Sequence, residues 1–224
     1  MAERENRRTG EGDVRLLDLF CGAGGAAMGY HRAGFTEIVG VDIKPQKNYP
    51  FTFVLGDALE YVAAHGREFN AIHASPPCQA YAQAALGQRN AGKVYQDLLA
   101  DTRHALRDAK WSVIENVPGA PMSPDYRLCG CLFGLPGLRR ERWFETSWGG
   151  FELRPQCRHI GPTISVVGHG TPSWVRKKLG RNPTILEYRA AMGIDWMNRD
   201  ELSQAIPPAY TEFVGKQLIQ AIRP

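Results

Sequence analysis

Val14-Arg15-Leu16-Leu17-Asp18-Leu19-Phe20-Cys21-Gly22-Ala23-Gly24-Gly25 is the stretch on which the fold turns. An apolar run too short for a helix, Val14–Phe20, halts at a cluster of glycines. An alanine-rich segment, roughly Ala26–Ala33, follows and stops at Gly34, as a helix ends where glycine can adopt a left-handed turn. Strand, glycine turn and helix in that order open an α/β unit. The glycines let backbone N–H groups approach a ligand beneath the helix N-terminus. The pattern Gly22-x-Gly24-x-x-Ala27 fits the relaxed dinucleotide form, and Asp42 lies where an acid would bridge a ribose hydroxyl. On these residues NAD and S-adenosylmethionine stand equally open, since both carry an adenosine ribose.

Further short apolar runs follow: Ile38–Asp42, Phe53–Asp57, Ala71–Ser75 and Trp111–Glu115. Several end in an acid. Amphipathic spacing of Val94, Leu98, Ala105 and Leu106 predicts a helix over Lys93–Ala109, and a last helix spans about Tyr210–Ile222. Strands alternating with helices predict a Rossmann-like α/β fold, a mostly parallel sheet with helices on both faces. Asp57 has two readings: a partner for a purine amino group, or the N-cap of a helix over Ala58–Ala64.

The chain has 224 residues, 43% of them apolar and 10% aromatic, enough to bury a substantial core. No apolar run approaches the roughly 18 residues of a membrane span. Five cysteines are too few for a secreted disulfide scaffold, so a cytoplasmic, reducing location is expected. The net charge is only +4, but residues 139–189 hold ten Lys and Arg against four acids, a local +6 that leaves −2 elsewhere. A basic final third predicts a nucleic-acid partner, unless it is merely a solvated face.

The strand ends carry the sharper chemistry. Ser75-Pro76-Pro77-Cys78-Gln79 uses two prolines to fix the backbone, so Cys78 should project from the carboxyl edge of the sheet, where ligands bind. A cysteine there is useful as a thiolate, and basic neighbours are expected to lower its pKa. The next strand delivers Glu115-Asn116-Val117-Pro118 to the same edge. A carboxyl held protonated by desolvation suits acid catalysis on a ring nitrogen. Together the two describe nucleophilic attack on an electrophilic heterocycle.

With these motifs in order, the sequence resembles the cytosine-C5 DNA methyltransferases from about Leu16 to Ile222. The matching blocks are Asp18–Gly25, Val41-Asp42, Gly56-Asp57, Pro77-Cys78-Gln79, Glu115-Asn116-Val117, Arg140-Glu141-Arg142 with Trp143-Phe144, Pro183–Arg189 with Met192-Gly193, and Ala205–Pro208. The resemblance implies S-adenosylmethionine as cofactor, held by Phe20, Gly22, Gly24, Asp42, Ile43, Asp57 and Pro77. Asp42 would lie on the ribose and Asp57 on the adenine amino group. It further implies that Cys78 attacks C6 of a flipped-out cytosine and Glu115 bonds to N3 and N4. Arg142 would assist at O2, and Arg140 would hold backbone or a nearby loop. Double-stranded DNA is the implied partner, touched by Gln79, Arg176, Lys177, Lys178 and Arg189, with no membrane or obligate protein partner and a monomeric state.

The sequence departs from the family at Leu138, where Gln is usual, at Ser203-Gln204 in place of Gly-Asn, and at Ala82, where Ser is usual. The interval between Arg142 and Pro183 holds only 40 residues, so target recognition is expected to be reduced, with low or short sequence specificity, as in small phage-type methylases. The expected organisation is a disordered charged tail (1–13), a catalytic and cofactor-binding core (14–142), a reduced recognition segment (143–183) and a C-terminal part returning to the core (184–224). Alternatives are an RNA (transfer RNA) cytosine methyltransferase and a non-catalytic paralogue. The Cys-Phe-Thr marker of the former is missing, while the latter would lack the Pro-Cys or Glu-Asn-Val residues present here. Cys129-x-Cys131 and Cys157-x-His159 offer four zinc ligands, yet their one-residue gaps are tighter than usual. No metal is expected, and the four are read as small buried or separate loop positions.

Overall fold

The structure is a computed structural model that describes residues 13–135, 137–149, 156–159, 163–166, 168, 171 and 173–223. The charged N-terminal stretch 1–12 and parts of the expected recognition segment lie outside the described residues.

Seven strands form one sheet: β1 (Arg15–Leu19), β2 (Glu37–Asp42), β3 (Thr52–Leu55), β4 (Ala71–Ala74), β5 (Ser112–Asn116), β6 (Tyr126–Leu128) and β7 (Arg142–Thr146). Their order is β3-β2-β1-β4-β5-β7-β6. The first five run parallel, and β7 and β6 close the edge antiparallel. Because β1 sits between β2 and β4, the chain reverses direction across the sheet beside it. That is the topological switch point where α/β sheets bind ligands. The expected mostly parallel Rossmann-like sheet is observed.

The helices are α1 (Gly25–Ala33), α2 (Ala58–His65), α3 (Leu86–Asn90), α4 (Leu99–Leu106), α5 (Ser173–Leu179), α6 (Ile185–Met192), α7 (Arg199–Gln204) and α8 (Pro208–Ile222). Adjacent residues of β1 serve opposite faces, because side chains alternate along a strand. Leu16 packs with Tyr30, Val113, Phe144, Tyr210, Val214 and Leu218, under α1 and α8. Leu17 and Leu19 pack with Val62, Ile72, Leu99 and Leu106, under α2 and α4. The central strands β1, β4 and β5 are therefore buried on both sides and read as near-continuous apolar runs. A third cluster, including Leu138, Tyr188, Met192, Ile194 and Leu202, joins α6 and α7 to the core. α1 and α8 pack closely because Gly29 has no side chain. A Cβ there would meet Thr211 Oγ1 at 2.0 Å and the Pro208 carbonyl at 2.2 Å.

One expected helix is shorter than its pattern. The Lys93–Ala109 segment is helical only over α4, and Val94, assigned to its apolar face, is 90% exposed. The Asp97 side chain accepts the Leu99 N–H at 3.1 Å, and such a local bond competes with helix continuation. The edge strands β6 and β7 lie in Gly/Pro-rich sequence where periodicity is weak, and the pattern did not predict them.

His73 in β4 is fully buried, its Nδ1 3.0 Å from the Tyr30 hydroxyl. Burial pushes its pKa down to about 3. The native imidazole thus stays neutral, while the unfolded chain takes up that proton near pH 6.5. Stability is therefore lost as pH falls from about 6.5 towards 3. Denaturant melts at pH 7 and pH 4.5 should show a larger acid loss for the parent protein than for His73→Asn, and equal losses would refute this assignment.

Candidate active site

Every expected site residue of the core lies at the carboxyl edge of the sheet. After β1 the chain turns through Phe20, the only described non-glycine residue with positive φ (56°), then Gly22 (49°) and Gly24 (82°). The Gly22 N–H donates to Asp42 Oδ2 at 3.0 Å, and the Lys44 N–H donates to Asp42 Oδ1 at 2.9 Å. Asp42, at the end of β2, therefore ties the glycine loop to its neighbouring strand while each oxygen keeps a second lone pair. A Cβ placed on Gly22 would meet nothing within 4 Å, so the loop borders open space. Beside it the apolar Ile43 is 70% exposed. Asp57 Oδ1 accepts the Leu59 and Glu60 N–H groups, so its N-cap reading is realised.

Open backbone at Gly22, an acid on the adjacent strand end and an exposed aliphatic side chain fit an adenosine-bearing cofactor. The C-terminal part braces this loop in a way that spacing did not reveal. Trp196 Nε1 donates to the Ala23 carbonyl at 3.0 Å. A Cβ on Gly25 would lie 2.4 Å from the Ile206 carbonyl, so the Ala205–Pro208 block packs against the start of α1.

β4 leads into the Pro-Pro-Cys turn. Asn116 at the end of β5 donates from Nδ2 to the Pro76 carbonyl at 3.2 Å, which holds the Cys78 loop against its neighbour strand. The Cys78 carbonyl accepts the Tyr81 and Ala82 N–H groups, and Arg89 Nη1 donates to the Gln79 and Ala82 carbonyls at 2.7 and 2.8 Å. Arg89 was not expected; it lies ten residues from Gln79 with no motif around it. Gln79 itself is exposed.

Glu115 is buried, and its Oε1 lies 2.8 Å from Arg142 Nε on β7. That contact is an ion pair rather than an aligned hydrogen bond, because Oε1 accepts no hydrogen bond among the described residues. Burial raises the Glu115 pKa, against the opposing pull of Arg142 and Arg140.

The expected lowering of the Cys78 pKa is not observed. Burial, reinforced by Glu115, raises it more than Arg142 and Arg140 lower it. The thiol is desolvated, and the cations beside it act as partial compensation.

Arg140 is buried with its donors directed at main chain: Nη1 to the Val166 carbonyl and Nη2 to the Ser203 carbonyl at 2.8 Å. Its own carbonyl accepts the Tyr210 hydroxyl at 2.6 Å. Arg140 is thus a positioning residue that locks β7 to two distant segments. The departure at Ser203 leaves this contact intact, because the carbonyl supplies it. Arg189 likewise donates from Nε to the Met197 carbonyl at 3.0 Å, bracing the turn after α6, a structural commitment that the expected DNA contact did not include.

Arg176, Lys177 and Lys178 lie exposed on α5, with Trp174 49% exposed beside them. Cys129, Cys131, Cys157 and His159 are not separate loop positions: their donor atoms all lie within 4.8 Å of one another. Among the described residues, no helix is long and apolar enough to cross a membrane.

Comparison with known proteins agrees with this geometry. The chain is 29% identical over 221 residues to the Type II methyltransferase M1.HphI of Haemophilus parahaemolyticus, a match covering 79% of this chain and 57% of that protein. It is 33% identical over 125 residues to M.AquIA of Picosynechococcus sp., covering 48% of this chain and 50% of that one. The chain thus spans about half the length of these relatives. Two solved structures share the fold: a prophage-encoded protein of E. coli (TM-score 0.60, 13% identity, 95% of this chain and all of that one) and the Entamoeba histolytica methyltransferase EhMeth (TM-score 0.59, 14% identity, 96% and 100%). The family model for C-5 cytosine-specific DNA methylase matches residues 14–128, from the first strand to the end of β6. It takes in the glycine loop, the Pro-Pro-Cys turn and Glu115 together, and the chain belongs to that family.

Proposed function

We propose that the protein transfers a methyl group from S-adenosylmethionine to C5 of a cytosine flipped out of duplex DNA. The observation that carries the reading is the meeting, at adjacent strand ends, of Cys78 with a buried Glu115 that keeps an unfilled acceptor beside Arg142.

The cofactor, when bound, supplies an electrophilic methyl group on a sulfonium. Gly22, Gly24 and Ile43 would border it, Asp42 would hold its ribose, Asp57 its adenine amino group, and Phe20 and Pro77 would flank it. Cys78 Sγ forms a bond to C6 while Glu115 supplies the proton that neutralises N3, so the ring electrons move to C5. Arg142 steadies Glu115 and the cytosine O2. After C5 is methylated, a base takes the C5 proton, the C5–H pair re-forms the C5–C6 double bond, Cys78 departs as thiolate with the C6–S pair, and the N3 proton returns to Glu115. Extruding the base costs a few kcal/mol of stacking. Exposed Arg176, Lys177 and Lys178 would offset this through phosphate contacts that weaken with salt. The short interval between Arg142 and Pro183 supports a short or degenerate target, in an organisation of catalytic core, reduced recognition segment and returning C-terminal part.

The test is incubation with labelled S-adenosylmethionine and unmodified duplex DNA, followed by base-resolution mapping. Label at C5 of cytosine supports the reading. Label on an exocyclic nitrogen, or on transfer RNA alone, overturns it, and methylation confined to a site of five or more defined base pairs would refute the short target.

The glycine loop gives a separate prediction. At φ 82° Gly24 occupies left-handed space, and a Cβ would lie 2.6 Å from Pro50 Cδ. Gly24→Ala should lose about 2–4 kcal/mol in urea denaturation, from backbone strain plus overpacking. It should also weaken S-adenosylmethionine binding at least about tenfold by calorimetry, since a shift of roughly 1.4 kcal/mol suffices. Unchanged affinity would remove this loop from the cofactor site.

A further inference from the structure

Three thiols and one imidazole converge on the side of the molecule where β6 ends. Cys129 follows β6 directly, and Cys131 lies in the 3₁₀ turn Gly130–Phe133. Cys157 and His159 come from the far side of β7 in sequence, yet all four donor atoms fall within 4.8 Å of one another. Cys129 Sγ is 3.6 Å from His159 Nε2. A tetrahedral zinc ion with Zn–S of about 2.3 Å and Zn–N of about 2.1 Å needs S···N edges of about 3.6 Å and S···S edges of about 3.8 Å. The cluster is therefore close to the dimensions of a filled site, with four ligands of the two types, thiolate and imidazole, that zinc takes from cysteine and histidine. All of the cysteines are free thiols.

We infer that Cys129, Cys131, Cys157 and His159 form a structural zinc site. Three thiolates and a neutral imidazole make a soft donor set that selects Zn²⁺ over Mg²⁺ or Ca²⁺. Four protein ligands close the coordination shell, leaving no open position for catalysis. Cys129 is buried, Cys131 and His159 are half-buried, and Cys157 is exposed, which gives the ion a route from solvent. The backbone N–H groups of Arg140 and Cys131 are directed at the Cys129 sulfur, the kind of support that orients metal ligands from behind. The clasp would close the loop between Cys131 and Cys157, which carries β7 with Arg140 and Arg142. Binding would release protons from the thiols and add to folding stability. The one-residue gaps are tighter than those of common zinc motifs, but each pair only has to supply one edge of the tetrahedron.

The test reads metal rather than methyl transfer, so it succeeds or fails independently of the proposed activity. Full-length protein purified under reductant from zinc-supplemented medium should contain about one zinc per chain. Replacement by Co²⁺ should give the thiolate charge-transfer and intense visible bands of a tetrahedral site. Cys157→Ser and His159→Gln, the first at an exposed position that cannot disturb the core, should each weaken metal binding at least about tenfold while the circular dichroism spectrum of the reduced protein is kept. Chelation should lower the melting temperature of the parent and not of Cys157→Ser. Less than about a fifth of a zinc per chain after reconstitution, or full zinc retained by both variants, would overturn the assignment.

Discussion

Cys78→Ser is expected to reduce methyl transfer at least about 10⁴-fold, the scale seen when a nucleophile that acts as part of a unit is removed. A serine hydroxyl has the right shape but is far less acidic than a thiol, and this pocket already opposes ionisation: burial raises even the Cys78 thiol. Arg142 and Arg140 offset only part of that. The same balance predicts that the parent rate rises with pH on the alkaline side, as more thiolate forms. The loop geometry should survive, since Asn116, Arg89 and the two prolines hold it through main-chain groups. Duplex DNA carrying 5-fluorocytosine supplies a direct readout, because fluorine cannot leave C5 as a cation and the C6 adduct accumulates. The parent should give a denaturant-resistant protein–DNA band and Cys78→Ser none. A serine variant within tenfold of the parent rate would remove the covalent step.

Glu115→Gln is expected to cost about 10²–10⁴ in the single-turnover rate, the usual worth of a positioned general acid. Glutamine keeps a carbonyl towards Arg142, 2.8 Å away in the parent, so the half-buried cation retains a partner. What it cannot do is deliver a proton to N3. Burial raises the carboxyl pKa, which favours the proton-carrying form needed at the start of the reaction. The parent rate should therefore decline with rising pH on this group, opposing the gain from Cys78, and the decline should vanish in the variant. Binding of S-adenosylmethionine, measured separately, should change little, since Glu115 lies two strands from β1. A variant within tenfold of the parent rate would move the acid elsewhere.

Arg142 sits on β7, between the two halves of the Cys/His cluster in sequence, and Arg140 ties the same region to Val166 and Ser203. Losing the clasp should therefore reach the site through β7 before it reaches the glycine loop.

Much of this protein was legible in its residues because the informative signals are local. A strand that stops at Gly22-Ala23-Gly24 must turn sharply, Pro76-Pro77 must stiffen the chain before Cys78, and continuous apolar runs must be covered on both faces. Those constraints place the glycine loop, Cys78 and Glu115 at one sheet edge, and the structure keeps them there. Side-chain commitments at long sequence separation were not legible. Arg140 reads as holding backbone or a nearby loop, yet the carbonyls that take its donors, 26 and 63 residues away, are fixed only by the packed chain. Cys78 reads as an activated thiol, yet its pKa is set by how much water the fold removes. Trp196 under the glycine loop and the gathering of Cys129, Cys131, Cys157 and His159 depend on how the antiparallel edge and the C-terminal helices fold back. Local sequence specifies backbone direction and hydrophobic period; desolvation and contacts between distant carbonyls, thiols and cations exist only once the chain is packed.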